Sequence, residues 1–265
     1  MLESYTALAW LAARTSSVRL GALVTPVTFR NVAHLAKIVA TLDVLSGGRM
    51  TCGLGLGWYE REHVAYGWDF PPVAERYELL EDALQALPLL WGPGAPAFAG
   101  RRTRVPEAIG YPRPLQDHVP VLVGGGGERR TLRLAARYAD AVNVMGDAAT
   151  VRRKVEVLRA HCAAADRPVT DIEVTHLAPA LLGDGSSGVR ALVEQLRPRR
   201  ATPDRYASGA NAGTVDDQIG RLRLLADAGV HHAIVSLPNL GIEDPAEAVG
   251  RWAPVIEAFR PGTSG

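Results

Sequence analysis

Short apolar runs alternate with segments of helical period six times along this chain, and that alternation admits few folds. "VRLGALVTPVTF" is rich in Val, Leu and Thr, "RMTCGLGLG" ends in glycines, and strand-like runs return at 120–124, at 140–145, in "DIEVTHLAPALLG" and in "HAIVSL". Each is followed by a helical pattern, and one more helix, "LESYTALAWLAARTSS", precedes the first. Asn31 is placed to cap the helix in which Leu35, Ile38, Val39 and Leu42 recur. Pro88 is expected to kink or end "AERYELLEDALQALPLLW" early. Strands alternating with helices make a parallel sheet covered by helices. Near-continuous apolar strands imply that both faces of the sheet are buried. An open doubly wound sheet and a TIM-type (β/α)8 barrel both fit α/β order of this kind, and six strands are two short of a barrel.

A length of 265 residues suits one α/β domain spanning 1–265. Two stretches break the rhythm as irregular insertions: 92–118, rich in proline and expected to hold at most a short hairpin, and 183–213, with a short helix at 189–197. The formal charge of +1 gives no sign of a nucleic-acid partner or a membrane surface. No signal-like segment opens the chain and no apolar run approaches ~18 residues, so it reads as cytoplasmic. Two cysteines, Cys52 and Cys162, are too few for a disulfide framework or a zinc site. A Schiff-base mechanism would have to use Lys37 or Lys154, both inside helical patterns.

Two strands end in glycine clusters, "GLGLGWYERE" at 53–62 and "GGGGERR" at 124–130. In parallel α/β folds these are the C-terminal strand ends, where ligands bind. The second cluster runs straight into a helix, whose free N–H groups and positive dipole end favour a phosphate or carboxylate. No Gly-Lys-Ser/Thr follows, and Arg129 stands where a dinucleotide fingerprint needs a small residue. The same glycines also suit a tight turn that packs closely on its neighbours, so both readings stay open. "WYEREH" gathers acids, a base and aromatics just past a strand end, which suits ligand contact or a solvated first helical turn. His34 falls on a helix, and His231 and His232 precede the last strand at the opposite end of the sheet, so no metal site is expected. His176, in mid-strand, is a minor catalytic candidate. Hydrolytic motifs of the Ser-His-Asp or H-E-x-x-H kind are absent from the sequence.

The long block "VRLGALVTPVTFRNVAHLAKIVATLDVLSGGRMTCGLGLGWYEREHVAYGWDFPPVAERYELLEDAL" and the later "PVLVGGGGERRTLRLAARYADAVNV" resemble the bacterial-luciferase-like oxidoreductases, in the branch that uses the deazaflavin coenzyme F420. The resemblance implies a (β/α)8 barrel and hydride transfer between the deazaflavin ring and a small organic substrate. It places Gly125, Gly126 and Gly127 at the cofactor's phosphate, with Asn143 closing the same motif. It matches Leu23-Val24 to a bulge with a non-proline cis peptide behind the ring, with Thr25 just after it. Gly57 and Trp58 match the ring's other edge, and Trp58 stands where some relatives carry an acid. Protonation is then unassigned, and Glu60 would serve only if its loop folds inward.

Counted against the family, the chain starts at the second helix and lacks the first two strands, about 50 residues of a barrel. A start recorded too late and a shortened barrel closed by dimerisation both accommodate this. Three functions follow from these residues: an F420-dependent oxidoreductase, an FMN-dependent monooxygenase of the same superfamily, and a truncated, non-catalytic barrel that binds a phosphate-bearing ligand. A homodimer is an expectation of the resemblance alone.

Overall fold

The structure, a computed structural model, describes residues 2–260. The chain forms two compact units, Met1–Asn143 with Glu156–Glu173, and Val144–Val155 with Val174–Gly265.

In the first unit helix α1 (Ser4–Arg14) is capped by the Glu3 carboxylate, which accepts from the Thr6 N–H at 2.7 Å. It buries Tyr5, Leu8 and Ala12, while Leu2 and Leu11 stay exposed. The first strand region is broken into β1 (Leu20–Gly21) and β2 (Thr25–Pro26). Asn31 caps α2 (Val32–Ser46), its side chain accepting from the N–H groups of Ala33 and His34, and the helix ends at Gly47 in the left-handed region. Strand β3 (Met50–Gly55) follows, then the short α3 (Glu60–Tyr66) and the long α4 (Val73–Trp91). Pro88 does not end α4 early. It is exposed and lies in the last turn, while Leu80, Leu84, Leu87 and Leu90 hold the opposite side in the core.

Residues 92–118 contain the expected short hairpin, β4 (Phe98–Ala99) against β5 (Arg104–Val105), and two buried carboxylates tie the segment down. Asp82 accepts the N–H groups of Arg101, Arg102 and Thr103 at 3.0, 2.7 and 2.7 Å. Asp43 accepts from the N–H groups of Leu115 and Gln116 at 2.8 and 3.1 Å and from Met50 at 3.3 Å. Regular structure resumes with β6 (Val121–Gly124), α5 (Thr131–Tyr138), β7 (Ala141–Val144) and α6 (Ala148–Ala164). Strands β1, β3, β6 and β7 are laid side by side in parallel, with β2 paired to the far end of β3. Met50, Cys52, Leu54 and Val123 are fully buried, as the apolar runs require.

In the second unit β8 (Glu173–Pro179) and β9 (Leu181–Leu182) continue one apolar run. Helix α7 (Gly185–Leu196) starts earlier than its apolar pattern suggests, and α8 (Pro203–Gly209) gives structure to a stretch expected to be irregular. Leu181, Val193 and Ala210 form their common core. Strand β10 (Ala212–Gly213) pairs with β9, α9 (Val215–Asp227) opens with a capping box of Thr214 and Asp217, and β11 (His232–Ser236) pairs in parallel with β8. Helices α10 (Pro245–Gly250) and α11 (Ala253–Glu257) close the described chain. His231 is a strand-start clasp: its Nδ1 accepts from the Val174 N–H at 2.9 Å and its own N–H donates to the Val174 carbonyl at 2.8 Å.

Six strand positions thus alternate with helices among the described residues, and within each unit the strands outside the hairpin pair in parallel, which is the α/β order the sequence predicts. No helix among the described residues is long and apolar enough to cross a membrane.

Candidate functional site

Strand register brings the sequence's candidate residues to one place in the first unit. Thr25 and Pro26 lie opposite Leu54 and Gly55, Leu54 lies opposite Val123, and Gly124 lies opposite Asn143. The strands are parallel, so segments 23–25, 55–58 and 124–127, with Asn143, meet at neighbouring C-terminal ends. In α/β sheets this is the edge where ligands bind.

The glycines there have separate physical reasons. The Leu23–Val24 peptide is cis. The Val24 side chain lies where a Cβ on Gly55 or Gly124 would stand, at 2.5 and 2.7 Å from its γ carbons, while a Cβ on Gly53 would collide with the Ala22 carbonyl oxygen. Gly125 adopts φ +125° and donates its N–H to the Asn143 carbonyl at 3.2 Å. A Cβ on Gly127 would fall 2.8 Å from Thr131 Oγ1 and 3.1 Å from the Tyr77 hydroxyl, two groups that hydrogen bond to each other at 2.9 Å. Behind the turn, the Leu132 N–H donates to the Gly127 carbonyl at 3.1 Å, and His161 Nε2–H donates to the Glu128 carbonyl at 2.8 Å. The close-packing reading therefore accounts for Gly124 and Gly127, and backbone conformation for Gly125. The same contacts fix the turn at the start of α5 with exposed Arg129 and Arg130 beside it, the latter 5.2 Å over the Tyr77 ring. A fixed turn at a helix N-terminus with arginines at its rim suits a phosphate. The half-exposed Leu23 beside Val24 offers an apolar surface to a planar ring. The residues present fit a phosphate-bearing, flavin-like group.

The remaining candidates are distributed as follows. Thr25 is buried, and its hydroxyl hydrogen bonds the Tyr5 phenol at 2.5 Å. Burial raises the Tyr5 phenol above its ordinary range and pushes the nearby Cys52 thiol up to about 12. Trp58 is 85% exposed, its ring 5.3 Å from that of Tyr59. Glu60 opens α3 and is exposed. His176 belongs to the second unit, is buried, and has Nε2 2.9 Å from the Gly146 carbonyl. Sequence reasoning did not single out His63, which is buried behind the 55–59 loop with Nε2 2.7 Å from Thr28 Oγ1. It also did not single out Arg76, which donates to the Gly57 carbonyl and lies 4.0 Å over the Phe70 ring.

The model of the luciferase-like monooxygenase family matches residues 1–260. The chain belongs to that family. It is 37% identical over 134 residues to an F420-dependent glucose-6-phosphate dehydrogenase of Kineococcus radiotolerans, a match covering 50% of this chain and 39% of that enzyme. The chain spans about half the length of the curated relatives it matches first, 48%. Among solved structures, the coenzyme F420-dependent tetrahydromethanopterin reductase of Methanopyrus kandleri superposes with a TM-score of 0.79 at 18% identity, covering 98% of this chain and 88% of that one. A riboflavin lyase with modified FMN and riboflavin superposes with a TM-score of 0.79 at 15% identity, covering 97% and 73%. These likenesses show the fold of the family. The relatives it matches include F420-dependent glucose-6-phosphate dehydrogenases and pyrimidine monooxygenases.

Proposed function

We propose that this chain is an F420-dependent oxidoreductase that transfers a hydride between coenzyme F420 and a small organic substrate. The observation that carries the reading is the Val24 bulge packed across the end of β3 against Gly124, the residue that leads into the Gly125–Gly127 turn. Likeness to F420-dependent relatives adds support for this cofactor. In this reading the turn and the start of α5 receive the phosphate, and Leu23, Val24 and Thr25 back the ring. Gly57 and Trp58 border its other edge, while Asn143 holds the turn through its carbonyl. Arg129 and Arg130, exposed beside the turn, would offer positive charge to an anionic cofactor tail. When bound, F420 supplies the hydride-accepting or hydride-donating centre, and the protein's share is orientation and exclusion of water. Proton transfer is left to an acid or base outside the cofactor cradle, with Glu60 as the candidate within the same unit.

FMN is the second reading, favoured by the flavin in a structural neighbour and by the monooxygenases of the family. A non-catalytic barrel binding a phosphate-bearing ligand is the third. Fluorescence titration of the 265-residue chain with F420 and with FMN separates them: saturable preference for F420 is expected. Preference for FMN moves the chemistry to flavin monooxygenation, and binding without turnover across a substrate screen favours the third reading. A cytoplasmic homodimer is the expected setting, and light scattering at working concentration checks the dimer.

A further inference from the structure

Helix α3 buries the wrong residue for a helix held by the hydrophobic effect. His63 is its one buried side chain, at 1% exposure, while Val64 and Tyr66 are left 69% and 65% exposed. Polar side chains are buried when hydrogen bonds hold them there, and both ring nitrogens of His63 are engaged. The Nδ1 lies 3.0 Å from the Tyr59 carbonyl, which can only accept, so Nδ1 carries the proton. In the neutral ring Nε2 then accepts from the Thr28 hydroxyl at 2.7 Å. Phe29 and Phe70 flank the imidazole, with ring centroids at 5.0 and 4.6 Å.

The backbone of the 55–59 loop is laid over this bond. Gly57 has φ +75°, and a Cβ there would stand 3.1 Å from Thr28 Oγ1, 3.2 Å from Pro26 Cβ and 3.6 Å from His63 Cε1. Arg76 holds the Gly57 carbonyl from another direction and the Pro71 carbonyl at 2.9 Å. The Thr28–His63 bond therefore ties the segment that follows β2 to the loop that follows β3, one step beyond the Val27 N–H that donates to the Gly55 carbonyl at 2.9 Å.

We propose that His63, through Thr28, is a positioning residue that fixes Gly57 and Trp58 relative to the Val24–Thr25 bulge, and so sets the width of the slot that takes the cofactor's ring. The proposal rests on the cofactor reading above, and its test keeps the two apart. His63→Gln places an amide where Nε2 stands and keeps a partner for Thr28. His63→Asn places one where Nδ1 stands and keeps only the Tyr59 contact. Thr28→Val removes the same bond from the other side. In the full chain, His63→Asn and Thr28→Val weaken F420 binding about tenfold, the worth of one well-placed hydrogen bond. The double variant is no weaker than either single, and His63→Gln stays close to wild type at a melting temperature matched to His63→Asn. Equal affinities for the Gln and Asn variants, or additive losses in the double, overturn the proposal. Should wild type bind neither F420 nor FMN, the cofactor reading fails, and amide exchange in the free protein at Val27, whose N–H donates to the Gly55 carbonyl at 2.9 Å across the same junction, still decides the positioning role. Exchange there rises about tenfold in His63→Asn and Thr28→Val and not in His63→Gln if His63 positions the loop. Identical exchange in all the variants and wild type refutes it.

Discussion

Gly55→Ala tests the claim that the glycines at these strand ends are vacated for Val24. The new Cβ would stand 2.5 Å from Val24 Cγ2, well inside contact, but 3.7 Å from Val24 Cβ, which is ordinary packing. A valine is stiff about χ1 and cannot swing its methyls aside cheaply, so overpacking should cost about 1–3 kcal/mol. Val24→Ala removes both γ carbons and costs about 1–2 kcal/mol, at about 0.8 kcal/mol per buried methyl-sized group. In the double variant the clash has no partner, so the total loss should fall short of the sum by about 1–2 kcal/mol. Any gain from stiffening the unfolded chain by Gly→Ala appears in the Gly55→Ala single and in the double variant, and cancels in the cycle. Urea unfolding followed by tryptophan fluorescence reads the cycle, with melting temperatures shifting about 2–4 °C per kcal/mol in a chain of this size. Losses additive to within about 0.5 kcal/mol would show that Val24 is not what the missing side chain makes room for.

Asp43→Ala strips the acceptor from the main-chain N–H groups of Met50, Leu115 and Gln116, and should lower stability by about 3 kcal/mol or more in urea titration. Thr214→Ala breaks the capping box of α9, with an expected loss of about 1 kcal/mol by the same measurement. Cys52 and Cys162 are both buried with thiols raised by that burial, so an aromatic disulfide reagent at pH 8 should leave both untouched in the native protein and modify both in urea. Between about 8.5, the ordinary thiol value, and about 12, the native state keeps a proton on Cys52 that the unfolded state loses. Stability should therefore be fully present below that window and fall as pH rises through it, and Cys52→Ala should flatten the fall seen in thermal melts between pH 8 and 11.

The α/β order was legible because burial on both faces leaves its mark within each strand, as in "VPVLV" and "HAIVSL". Asn31 could be read as a helix cap because its signal too is local, a side chain that accepts from N–H groups two and three residues on. What could not be read depends on residues far apart in sequence. Nothing near Gly124 announces that Val24 fills its space, so the run of glycines looked like a ligand cradle or a tight turn with equal right. Asp43 and Asp82 look like polar helix residues until their partners in 101–116 arrive. The start of α7, Gly185 to Gly188, has low helix propensity, and the helix is held by Val189 and Val193 against the core around Leu181. His63 was visible only as part of a charged, aromatic cluster, since a buried histidine and an exposed one look alike in a sequence.

The most direct test of the central claim is a crystal structure of the chain with F420 bound. The account predicts phosphate density within hydrogen-bonding reach of the Gly125–Gly127 turn and the deazaflavin ring lying against Leu23 and Val24, with Trp58 at its edge. A ring bound elsewhere, or a phosphate held away from that turn, would contradict it.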